Sequence, residues 1–256
     1  MSGEKPIRIA MWSGPRNIST AMMRSFENRG DSAVSDEPFY SAYLTKTGLQ
    51  HPMRDAVIAS QPSDARDVAR QVLGPVPGAK AVWYQKHMSH HMLAGFPLDW
   101  IDQVTNAFLI RAPEAVLASY SVRRADFTLE EIGLPQQVEI FDRTAQRMGK
   151  APPVIESNDV LADPRAILSA LCAACGIAFT DKMLTWPAGK RASDGVWAPA
   201  WYDKVEPSTG FGPARKEVTF EALPDNLKQI AEAARPLYAR LARYRVAPKG
   251  LNSPPR

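Results

Sequence analysis

The first chemistry visible in this sequence is an arginine and two hydroxyls set around a turn. Residues 12–20 read Trp-Ser-Gly-Pro-Arg-Asn-Ile-Ser-Thr. Gly14 and Pro15 make the turn, Arg16 brings a fixed positive charge, and Ser19 and Thr20 bring hydroxyl donors onto the first turn of a following helix. A helix start offers free backbone N–H groups and the positive end of its dipole. The stretch Gly14, Pro15, Arg16, Asn17, Ile18, Ser19 and Thr20 therefore has the makings of a phosphate cradle. The ordinary nucleotide loop requires G-x-x-x-x-G-K-[ST]. Here no second glycine and no lysine precede Thr20, which disfavours a nucleoside triphosphatase.

A second arginine–hydroxyl pair recurs later. Arg111 closes an apolar run, and Ser119 lies eight residues on, after Pro113. Two helical turns return the serine to the face on which the helix starts, so the pair can grip a second phosphate. Two candidates exist for a group that takes a proton. His87, beside Lys86, sits at the end of one apolar run; Glu37 sits in Asp-Glu-Pro-Phe-Tyr at the end of another. Imidazole titrates near neutrality, which favours His87, and Lys86 beside it can contact a transferring anionic group. Arg16 is suited to a leaving phosphate.

Other reactive residues carry less. His87, His90 and His91 crowd together, but no nearby cysteine or acidic partner completes a ligand set, so no metal is expected. Cys172 and Cys175 form a C-x-x-C inside an amphipathic helix, not at a strand-to-helix turn, and read as buried core thiols. Trp197, Trp201 and Tyr202 lie in a loop where aromatics can cover a ligand.

The elements that must position these groups alternate. Strands are expected over residues 7–12, 32–35, 79–86, 104–110 and 152–156. Helices are expected over 18–29, 63–73, 113–123, 129–149, 164–176 and 223–245, with a long loop over 187–216. This alternation argues a three-layer α/β/α fold with a central parallel sheet, in a single domain spanning 1–256. In such sheets ligands bind beyond the carboxyl ends of the strands. Those ends hold Ser13–Thr20, Asp36-Glu37, Lys86-His87, Arg111 and Glu156.

Bulk composition agrees. The 256 residues are 45% hydrophobic and 23% charged, enough for a sizeable core. A formal charge of +4, without a basic tail, suits a small anionic ligand and argues against nucleic acid. Two cysteines, no apolar leader and no long apolar window predict a cytoplasmic protein without a membrane span.

Pro15-Arg16-Asn17-Ile18-Ser19-Thr20 resembles the 5′-phosphosulfate loop of the sulfotransferases that use 3′-phosphoadenosine-5′-phosphosulfate (PAPS), with Asn-Ile where that family usually has Ser-Gly. Arg111 through Ser119-Tyr120 is similar to that family's 3′-phosphate motif, and Ile155–Pro164 is similar to a further family stretch. The resemblance runs over about residues 7–176. It implies a P-loop-type nucleotide fold binding PAPS, and its product PAP, with the cradle at the 5′ end and Arg111 and Ser119 at the 3′ end. It also implies transfer of a sulfuryl group to a hydroxyl or amine of a small-molecule or carbohydrate acceptor, without a metal. Glu37 resembles the glutamate base of bacterial carbohydrate sulfotransferases; Lys86-His87 resembles the Lys-x-His of the animal cytosolic enzymes. Lys190 and Arg191 fall where the family's covering loop carries an Arg-Lys-Gly motif, at a different spacing. A kinase-like phosphoryl-transfer enzyme and a catalytically inactive nucleotide-binding relative are the alternatives.

Overall fold

The computed structural model describes residues 5–124 and 126–246. Five parallel strands form one sheet: β1 (Ile7–Ser13), β2 (Ser32–Asp36), β3 (Val82–Met88), β4 (Thr105–Ile110) and β5 (Val154–Glu156), in the order β2-β3-β1-β4-β5. The connections first run outward on the β3 side of β1 and later resume on its β4 side. The reversal lies at β1, so the crevice beyond Ser13 is the expected ligand position.

Ten α-helices occur among the described residues: α1 (Ser19–Glu27), α2 (Tyr40–Thr47), α3 (Arg54–Ser60), α4 (Ala65–Leu73), α5 (Pro113–Ser121), α6 (Leu134–Met148), α7 (Ser157–Ala162), α8 (Pro164–Ala174), α9 (Ala198–Trp201) and α10 (Asp225–Ala242). Strand side chains alternate between two apolar layers. Ile9, Met11, Tyr84 and Leu109 pack with Met22 and Phe26 of α1 and Leu168 and Leu171 of α8. Ala10, Trp12, Phe108 and Ile110 pack with Val68 of α4, Leu117 of α5, Phe141 of α6 and Ala231 of α10. The three-layer α/β/α expectation holds.

The boundaries differ from the expected ones for local reasons. The third strand starts at Val82, not residue 79, because Pro77–Ala79 make a short turn with Gly78 at φ 61°. The helix expected from residue 129 starts at Leu134. Gly133 takes φ 77°, and a Cβ there would stand 3.0 Å from the His90 nitrogen. Helices α2 and α3 had no clear sequence signal. Their N-caps are Phe39 and Met53, neither of which caps with a side chain. Residues 40–44 are all buried, so α2 also lacks a polar stripe. Helix α9 interrupts the segment read as a long loop.

Candidate functional site

The turn after β1 has an unusual backbone. Arg16 (φ 62°) and Ile18 (φ 57°) both occupy the left-handed region, which a β-branched residue rarely enters. A Cβ at Gly14 would run into the Ile132 carbonyl, so the turn passes hard against that neighbouring loop. The first helical bond of α1 runs from Met22 N to Ile18 O. Among the described residues, the N–H groups of 16–21 donate to no backbone oxygen. The residues that carry these donors, within the stretch Pro15 to Ala21, line a cavity of about 520 Å³. Curled N–H groups at a helix start are the physical basis of anion binding.

The second arginine–serine pair meets the first. Arg16 Nε donates to Ser119 Oγ at 3.0 Å, and Arg111 Nη1 donates to the Arg16 carbonyl at 2.7 Å. Ser119 sits on α5 and Arg111 at the end of β4, so two adjacent strand ends bring the groups together. Arg111 and Ser119 stand behind Arg16 and are not themselves on the cavity wall. Arg111 is held down to about 10, first by burial and then by the charge of Arg215. Arg16 is lowered by burial, then by Arg123 and Arg215. Among the described residues none of Arg16, Arg111 and Arg215 forms an ion pair with a carboxylate. Clustered cations without a counter-charge favour an anion beside them.

Arg215 was not singled out in the sequence. It lies beyond Gly210-Phe211-Gly212-Pro213-Ala214, a stretch that lines the same cavity. Its backbone N–H donates to Asn158 Oδ1 at 2.8 Å, which ties this segment to α7. Lys190 and Arg191 line no part of the cavity. Lys190 is exposed, and Arg191 pairs with Glu27 at 3.4 Å. The available signal was the glycine-rich run just before Arg215-Lys216.

At the other end of the cavity, β2 and β3 place a buried charge cluster. Lys86 Nζ donates to Asp36 Oδ1 at 2.8 Å, to Glu37 Oε1 at 2.5 Å and to the Tyr202 hydroxyl at 3.0 Å. Asp36 Oδ2 accepts from the Tyr202 hydroxyl at 2.6 Å and from the Gly195 N–H at 3.0 Å. Asp36 thus clasps the segment carrying Tyr202 against the sheet. Glu37 has φ 40° and lines the cavity. Its Oε2 accepts no hydrogen bond among the described residues and stands 4.0 Å from His91 Nε2. Burial pushes the Glu37 carboxyl above its usual range, against the pull of Lys86. The Lys86 ammonium, though buried, is held well above its usual range by Asp36 and Glu37.

His87 does not reach this cavity. It follows Lys86 on β3 and so points to the other face of the sheet. There it stacks on Trp12 at 4.7 Å and lies 5.0 Å from Trp100 and 5.9 Å from Phe39. One ring nitrogen meets Gln85 Oε1 at 3.2 Å. The side chain is 1% exposed, and burial drives its pKa down to about 3. His87 is therefore a packed aromatic group, and the expectation that it is the base is corrected. Two neighbours do line the cavity, His90 and His91, along with His51.

No group of three or more His, Cys, Asp or Glu able to hold a metal occurs among the described residues. Cys172 and Cys175 are free and buried in the α8 core layer. No helix among the described residues is long and apolar enough to cross a membrane.

Two Arabidopsis thaliana proteins named branched-chain-amino-acid aminotransferase-like protein 2 and protein 1 are each 36% identical to this chain, over 232 and 234 residues. These cover 90% and 91% of this chain but 40% and 41% of those proteins. The chain thus spans less than half the length of the curated relatives it matches. Two solved sulfotransferase domains align at low identity. The one from the Synechococcus PCC 7002 olefin synthase gives 17% identity and a TM-score of 0.45, covering 91% of this chain and 96% of that domain. The one from the curacin biosynthetic pathway gives 15% and 0.49, covering 94% and 99%. The family described as the sulfotransferase domain matches residues 7–243, nearly the whole sequence, and this chain belongs to it.

Proposed function

We propose that this chain transfers a sulfuryl group from PAPS to a hydroxyl or amine of a small acceptor. The observation that carries this reading is the pairing, in one cavity, of an uncompensated cation-and-N–H cradle with a carboxylate whose outer oxygen is free. A volume of about 520 Å³ lies within the range of small-ligand sites. PAPS would supply an activated sulfuryl group on its 5′ phosphate. The N–H groups of 16–21, Arg16, Ser19 and Thr20 hold the 5′ end of such a nucleotide. Arg111 and Ser119 lie beside Arg16, off the cavity wall, and in this reading exchange their contacts with Arg16 for the 3′ phosphate, while Arg215 closes over it from the covering segment.

Glu37 takes the proton of the acceptor hydroxyl through Oε2, while Lys86 fixes the other oxygen and balances its charge. A carboxyl raised by burial is a stronger base than one in water, which suits this role. Lys86 also lines the cavity and adds positive charge near the transferring group. Asp36 and Tyr202 act on Lys86 and keep its ammonium in place.

The test is transfer of labelled sulfuryl from PAPS to a panel of alcohols and amines. Glu37→Gln is expected to lower kcat by about 10²–10⁴-fold with PAP affinity retained. Full activity in Glu37→Gln would remove the base assignment. Failure of the intact protein to bind PAP would remove the donor assignment.

A further inference from the structure

The acceptor end of the cavity carries its own chemical signature. Its wall is built of rings: Tyr40, His51, His91, Tyr120, Trp201 and Tyr202. The wall is braced from behind. His91 stacks on Tyr40 at 4.7 Å and 11°, and on Tyr43 at 4.8 Å and 29°. Trp197 meets Tyr40 edge-on at 5.1 Å. Flat rings held in this way offer a rigid apolar slot and lose little freedom on binding.

The charges at this end are already matched. Lys86 pairs with Asp36 and Glu37, and Arg124 pairs with Glu131 at 2.7 Å. Lys204 is the exception on the wall, and it is exposed to solvent. The imidazoles are neutral, because burial lowers His51 to about 4 and His90 to about 3. A neutral ring can be assigned at His51. Arg124 Nη1 lies 2.9 Å from His51 Nε2 and can only donate, so Nε2 accepts. Nδ1 therefore carries the hydrogen and donates to the Tyr40 hydroxyl at 2.9 Å. The Tyr40 O–H is left to donate elsewhere. Two further polar atoms have no partner among the described residues, His90 Nδ1 and His91 Nδ1. Both side chains are buried, at 6% and 2% exposed, and both line the cavity. Buried polar atoms of this kind call for a partner.

Resting on the sulfuryl-transfer reading, we infer that the acceptor is an uncharged compound with a flat ring, bound among Tyr40, His91, Tyr120 and Trp201, with its hydroxyl at Glu37. A carboxylate on that ring would lie against Glu37 with no free cation inside to offset it. The Tyr40 O–H gives a polar ring substituent a hydrogen bond.

The experiment uses the intact chain saturated with PAP and three probes: β-naphthol, the same naphthol carrying a ring carboxylate, and glucosamine. Calorimetry is expected to show β-naphthol binding at least about tenfold tighter. Tyr40→Leu is expected to weaken β-naphthol by about tenfold while leaving PAP affinity unchanged, since Tyr40 is remote from Arg111 and Ser119 in the proposed division of the cavity. Equal or tighter binding of the carboxylate overturns the inference. So does binding of glucosamine alone, or of no probe at all, while PAP binds normally. Loss of PAP binding by the unmutated chain would instead strike the donor reading, so the two failures are distinct.

Discussion

Lys86 and His87 are neighbours in the chain and opposites in the fold. Both lie near the end of the same strand, and both are 1% exposed. Lys86 points to the face that holds Asp36, Glu37 and the cavity, and its charge is matched by two carboxylates. His87 points to the face that holds Trp12, Phe39 and Trp100, and its charge is suppressed by burial. The difference is a single step of strand alternation. A residue type suited to catalysis does nothing for it on the wrong face. In the proposed mechanism the base is a glutamate just past a strand end, where the chain turns through a left-handed φ and Glu37 reaches the cavity wall.

The sharpest way to break this comparison is to remove each candidate base. Glu37→Gln is expected to cost about 10²–10⁴-fold in kcat, and His87→Phe less than about tenfold, measured as sulfuryl transfer at saturating donor. His87→Ala is expected instead to destabilise the fold by about 2–4 kcal/mol, read as the denaturation midpoint, because it empties a packed aromatic site. A larger kcat loss in His87→Phe than in Glu37→Gln would reverse the assignment.

Next in size is the contrast between the two basic stretches of the covering segment. Arg215→Ala is expected to weaken PAP by about 10–100-fold, the worth of one charge-assisted contact. Lys190→Ala, on an exposed side chain outside the cavity, is expected to change it by less than about twofold. Titration calorimetry of both variants decides the matter. Asp36→Asn can keep its single oxygen on the Tyr202 hydroxyl and the Gly195 N–H only by turning its NH2 onto Lys86 Nζ, which removes the Asp36 hold on Lys86. It is expected to lower kcat more than it raises the Kd for PAP.

The effects of pH separate the two faces again. Activity is expected to rise as Glu37 loses its proton, at a pH above the ordinary carboxylate value of 4.5, because burial raises it. Stability moves through the histidines. His87 and His90 titrate near 6.5 when unfolded and near 3 when folded, so the unfolded chain binds more protons in between. Their contribution is fully present above about 6.5 and is lost as pH falls toward about 3. Chemical denaturation across that range should show the loss, and His87→Phe should flatten it.

Much of this was legible in the sequence. The five strand ends, the cradle at Gly14–Thr20 and the Arg111–Ser119 spacing follow from apolar runs that stop at polar or charged residues. Helices α2 and α3 were hidden because their caps are hydrophobic and α2 has no polar face. The fate of His87 was hidden because the last residues of a buried strand carry no outward alternation to read: all seven residues of β3 are buried. Arg215 was hidden because its position depends on a backbone tie to Asn158, 57 residues away. The clasp of Asp36 on Tyr202 and Gly195 spans a still longer interval, and no local pattern announces it.

The central claim is that the cradle and the Arg111–Ser119 pair grip the two ends of one nucleotide. Parallel titrations of PAP and AMP, which lacks the 3′ phosphate, test it most directly. The unmutated chain should bind PAP at least about 100-fold tighter than AMP, and Arg111→Ala should erase most of that difference by weakening PAP alone. Equal affinities for the two nucleotides, or an equal loss for both in Arg111→Ala, would contradict it.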